Sequence, residues 1–218
     1  MAEDPIPSRM DQETLQPEQA AQLLQRQQML QEEAQVVLEE LDLVNLLSAS
    51  GSLRQVGSST LGLMTWRDLD LAVSSPGLDV ESIYELMRPL YTHQRVKRVH
   101  YLNESGSYNA TGNPEQERYF FMVHYETLAG NEWKIDISFW LGLDIHPEPV
   151  QDALEQQLTP ETRLAILWIK NACYQLPTYR STFYSTDIYE AVAKHGVRTP
   201  KEFEEYLARS ARSMYPRK

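Results

Sequence analysis

The chain has 218 residues with 42% hydrophobic and 10% aromatic content, enough to bury a core as one large domain or two small ones, which excludes a wholly disordered protein. Twenty lysines and arginines stand against 31 aspartates and glutamates, a formal charge of −11. That balance disfavours DNA or RNA as a partner, since gripping phosphates takes a basic surface, and suits a neutral or cationic small molecule.

Residues 1–16 mix proline, serine, methionine and charge without periodicity and read as a disordered tail; the start lacks the basic, then apolar, pattern of a secretory leader. From Pro17 to about Leu47, Leu23, Leu24, Leu30, Val37, Leu38, Leu41 and Leu46 recur near helical spacing, predicting one long helix or two broken near Gln31. A helix packed on its own domain is the expectation, and a dimer-forming helix, hence a homodimer, is the alternative. A Ser/Gly turn follows, and the apolar run Leu53 to Val56 then meets Gly57-Ser58-Ser59. Glycine lets backbone approach a phosphate closely, and a serine-rich turn opening a helix directs N–H groups and hydroxyls at an anion.

The run from Asp68 to Val73 is strand-like. Residues two apart on a strand share a face, so Asp68 and Asp70 project together while Leu69, Leu71 and Val73 face the core. Two adjacent carboxylates repel, and a divalent cation relieves that repulsion. Pro76-Gly77 ends this strand, Asp79 is the expected N-cap of a helix over 80–90, and 95–102 is a further strand, followed by a Gly/Asn/Ser loop. Residues 119–126 and 132–141 predict a hairpin around Thr127-Leu128-Ala129-Gly130-Asn131. Its second arm turns Trp133, Ile135, Ile137 and Phe139 to one face and Lys134, Asp136 and Ser138 to the other. An aspartate is a costly choice for a central strand unless a metal pairs with it.

Beyond His146 the periodicity is helical. Thr159-Pro160 opens a helix to about Tyr174, a second covers 186–194 with Gly196 as its left-handed cap, and Thr199-Pro200-Lys201-Glu202 starts a third. The basic end, 210–218, reads as frayed. No apolar run is long enough to span a membrane, and the one cysteine, Cys173, leaves no partner for a disulfide, which fits a cytoplasmic setting. The five histidines lack ligand spacing, arguing against zinc.

Gly57-Ser58, nine residues, and Asp68-Leu69-Asp70 in an apolar run, with Asp136 on a later strand, resemble the signature of the polymerase-β-like nucleotidyltransferase superfamily, which includes small antibiotic nucleotidyltransferases. The resemblance implies an α+β fold: a nucleotidyltransferase-type mixed sheet with flanking helices over 17–145, then a helical bundle over 146–218. It further implies that Asp68, Asp70 and Asp136 are catalytic and bind Mg2+, and that Gly57, Ser58 and Ser59 hold the phosphates of a nucleoside triphosphate. Lys170, seven residues from Arg163 and on the same helix face, reaches that triphosphate in this reading; a solvated helix cation is the alternative. The implied activity is transfer of a nucleoside monophosphate, AMP from ATP, to a hydroxyl of a small acceptor such as an aminoglycoside-like or lincosamide-like antibiotic. Two alternatives stand beside it: an enzyme of this fold acting on RNA or protein as a toxin or regulator, and a nucleotide-binding protein that has lost turnover.

Overall fold

The computed structural model describes residues 14–142 and 154–214. The first thirteen residues of the expected tail, the segment around His146 and the last four residues lie outside the described residues. The chain divides into two compact units: Gln31–Thr60 with Arg67–His146 in the first, and Ala2–Leu30, Leu61–Trp66 and Pro147–Lys218 in the second. Residues 17–30 and 61–66, which the sequence assigns to the α/β part, thus group with the C-terminal helices. The reason lies in their side chains: Leu23 packs with Leu167 and Trp168, and Leu61 and Leu63 join the helical core.

The first unit is a five-stranded mixed sheet in the order β1-β2-β5-β4-β3, where β1 is Ser52–Val56, β2 Asp68–Ser74, β3 Val96–Glu104, β4 Arg118–Glu126 and β5 Glu132–Trp140. Neighbours are antiparallel except β2 and β5, which run parallel. Period-2 alternation decides which face is covered. Leu69 stands opposite Ile135, Leu71 opposite Ile137 and Val73 opposite Phe139, and all six are almost fully buried. Burying side chains of this size is worth roughly 1.5–3 kcal/mol each, so a one-residue slip, which would turn them all outward, is strongly disfavoured.

Helix α4, Val80–Tyr91, contributes Ile83, Met87 and Leu90 as its buried face, and rings of Tyr84 and Tyr91 meet Tyr101 and Phe121 of the sheet at 5.2 and 6.3 Å. Its N-cap is Asp79 as expected, whose side chain accepts the Ser82 amide at 2.7 Å. The N-terminal helical stretch breaks later than the sequence suggests. Helix α1, Pro17–Glu40, runs straight through Gln31, and the interruption falls at Asp42, in the left-handed region with φ 49°, before α2, Leu43–Ser48. Gln is a good helix former, whereas Asp tolerates the left-handed region, so the break sits where the backbone can reverse most cheaply.

In the second unit, α5 (Pro160–Cys173), α6 (Ser185–His195) and α7 (Pro200–Arg209) pack around Ile166, Ile169, Phe183, Ile188, Phe203 and Leu207, all with no exposed surface. The Thr159 and Thr199 caps and the left-handed Gly196 lie where the sequence predicts. Residues 210–214, expected to fray, are tied down: Met214 is buried, Arg212 pairs with Asp187 at 2.7 Å, and the Thr178 hydroxyl donates to the Met214 carbonyl.

Candidate active site

The covered face of the sheet leaves the opposite face of β2 and β5 for polar side chains, and there the register sets a two-by-two block. Asp68 stands opposite Lys134, and Asp70 opposite Asp136. Ligand oxygens of Asp68, Asp70 and Asp136 lie within 4.8 Å of one another. Two strands that part company in sequence, 68–74 and 132–140, bring them together through one parallel pairing.

The turn before β2 lies against this block. Val56 is in register with Asp70, and Gly57 follows with φ +78°. A Cβ at Gly57 would collide with the Asp70 carboxylate, so only glycine leaves room for that side chain and for the positive φ. Ser58 and Ser59 open the short helix α3, Ser58–Leu61, and both are buried. The Ser59 hydroxyl donates to the Val56 carbonyl at 3.2 Å, and its own carbonyl accepts from the Gln31 side chain at 2.5 Å, so the turn is held on both sides.

Arg67, next to Asp68 but on the other face, pairs with Glu33 at 2.9 Å, a structural contact as its alternation implies. Lys170 belongs to the second unit and is 1% exposed; its ammonium donates to the Leu63 carbonyl at 2.7 Å and lies 5.7 Å from the centre of the Tyr189 ring. Arg163, two turns earlier, donates to the carbonyls of Leu61 and Gly62. The two cations therefore share a helix face, as their spacing requires, and there they hold three successive carbonyls of the link between the Gly57 turn and β2.

One side chain of the block has no role in the sequence reading. Lys134 is 7% exposed, and its ammonium lies 3.0 Å from Asp68 Oδ1 and also pairs with Asp136 Oδ2. The signal was present: Lys134 is two residues from Asp136 and so shares its face. Its partner Asp68 becomes visible only when the register of β2 against β5 is known.

The donor set suits a hard divalent cation. Three carboxylates within reach of a single ion are oxygen ligands of the kind that magnesium takes, and the absent Cβ of Gly57 keeps the flank of Asp70 open. No family model and no curated protein sequence matches the chain. Among solved structures it is similar to Cid1, whose RNA terminal uridylyl transferase activity has been related to its structural plasticity, with a TM-score of 0.51 and 14% identity over 81% of this chain and 52% of that one. Over that span the chain shares the fold of Cid1. It spans about half the length of the Cid1 chain that it matches. The fold class expected from the sequence, α+β with a mixed sheet and flanking helices, is the one observed.

Proposed function

We propose that this protein is a metal-dependent nucleotidyltransferase that moves a nucleoside monophosphate from a triphosphate to an acceptor hydroxyl. The observation that carries the reading is the aspartate cluster on adjacent parallel strands beside the Gly57 turn, in a nucleotidyltransferase fold. Asp68, Asp70 and Asp136 hold Mg2+, and Gly57, Ser58 and Ser59 lie against the β- and γ-phosphates. Bound magnesium supplies neutralisation of the phosphate oxygens and a template for in-line attack. Asp136 takes the proton of the acceptor hydroxyl as the new O–P bond forms at the α-phosphorus; the bond from that phosphorus to the β-phosphate oxygen breaks, and pyrophosphate leaves with the electron pair. Lys170 serves the triphosphate indirectly in this scheme, by holding Leu63 and through it the link that joins the phosphate turn to β2.

For the acceptor, the charge of −11 favours a small cationic hydroxyl compound of the aminoglycoside or lincosamide kind, with ATP as donor. The resemblance to Cid1 favours a second reading, an RNA 3′-hydroxyl with UTP. The test is pyrophosphate release from each of the four nucleoside triphosphates with Mg2+, using an aminoglycoside, a lincosamide and an RNA oligonucleotide as separate acceptors. Acceptor-dependent release that falls at least about 10²-fold in Asp68→Asn and Asp70→Asn, with an unchanged circular dichroism spectrum, is the expected result. Release that persists undiminished in both variants sinks the assignment.

A further inference from the structure

We infer that Lys134 is the resident cation of the aspartate cluster, and that it restricts the nucleotide-free protein to one divalent ion. The inference rests on the nucleotidyltransferase reading above. Strand register puts Lys134 on the polar face of the cluster: it stands opposite Asp68 across β2 and β5 and is two residues from Asp136 on the same face. It is buried, and it contacts two of the three carboxylates that would hold metal. An ammonium so placed takes both the space and the charge of a second ion.

Charge points the same way. Three carboxylates and one ammonium carry a formal net charge of −2, which one divalent ion neutralises. A second ion would leave a partly buried site with excess positive charge, a state disfavoured by poor solvation. The same ammonium offsets the mutual repulsion of Asp68 and Asp136 when no ion is bound, and so keeps their oxygens at ligand spacing. Lys134 is a positioning residue: it acts on the carboxylates, and no reacting atom needs to touch it.

The experiment counts Mn2+ ions bound to the full-length chain without nucleotide, from the paramagnetic resonance signal of the free ion. The wild-type protein, Lys134→Met, Lys134→Arg and the Asp68→Asn, Asp70→Asn double variant are compared. One ion is expected on the wild type. Lys134→Met should take a second ion, or bind the first at least about tenfold more tightly, because an opposing charge within a few ångströms has gone. Lys134→Arg should return to the wild-type count. The same titrations followed by thermal unfolding should show Mn2+ raising the melting temperature of Lys134→Met more than that of the wild type, an effect that a purely structural lysine would not produce.

Two ions on the wild type overturn the proposal, as does a Lys134→Met protein whose count and affinity equal those of the wild type; the metal site itself survives either result. Wild-type binding that persists in the double aspartate variant, or no binding at all, overturns the metal site and the proposal together. Because the wild-type count needs no substitution, a Lys134→Met chain that fails to fold still leaves the choice between one ion and two decided.

Discussion

Gly57 shows how one residue type can be dictated by a neighbour on another strand. Its φ of +78° and the proximity of the Asp70 carboxylate both exclude a side chain. Gly57→Ala should lose roughly 1–3 kcal/mol of stability, from strain at positive φ, and displace Asp70. Urea unfolding and Mn2+ binding, measured on the same preparation, check both effects; unaltered metal affinity would mean that the carboxylate is not held by this contact. Cys173 is the opposite case, a chemically capable side chain kept inert. Burial pushes its thiol up to about 12, with the nearby Lys170 charge opposing only in part. A thiol without thiolate does not react, so the native protein at pH 8 should resist alkylation for the lifetime of the fold and modify at once in denaturant.

Among the elements, α5 does more than fill the helical core. Arg163 and Lys170 project from one face of it to the carbonyls of Leu61, Gly62 and Leu63. Their spacing of seven residues made a shared face legible in the sequence, but what lay opposite that face was not. Lys170→Met would leave the buried Leu63 carbonyl without this donor, at a cost of about 1–3 kcal/mol. The same helix begins with a Thr159 and Thr162 capping box. Thr159→Ala should therefore lower stability by about 1 kcal/mol. If chemical denaturation ranks the cap above the lysine, the carbonyl clamp is weaker than its burial suggests.

At the scale of the whole molecule, the groups displaced from their ordinary ionisation among the described residues are mostly acids kept neutral. Burial raises the hydroxyls of Tyr91, Tyr101, Tyr125 and Tyr206 and the thiol of Cys173. A group whose folded value lies above its unfolded value stabilises the fold fully below the unfolded value and loses that contribution as pH rises toward the folded one. With ordinary values of 9.0 for the thiol and 10.0 for the phenols, the urea midpoint should hold steady from pH 7 to 8.5 and fall beyond pH 9. A midpoint at pH 10.5 equal to that at pH 8 would falsify this account. Among the described residues no helix is long and apolar enough to cross a membrane.

What the sequence determined by itself was whatever depends on local periodicity and local chemistry: the alternation that gives β2 and β5 one apolar and one polar face, the Thr-Pro and Gly ends of the C-terminal helices, and the pairing of Asp68 with Asp70. These follow from neighbours one to four residues away, and the chain carries them openly. The tertiary structure alone decided what depends on which strands lie side by side. The parallel register of β2 on β5 set Lys134 against Asp68 and Asp136 against Asp70. The packing of residues 17–30 and 61–66 with the C-terminal helices moved two segments out of the unit that their sequence neighbours suggested. Neither could be read in advance, because the free energy that selects a register or a packing partner comes from surfaces far apart in the chain, and a pattern within one segment says which face is apolar without saying what will cover it.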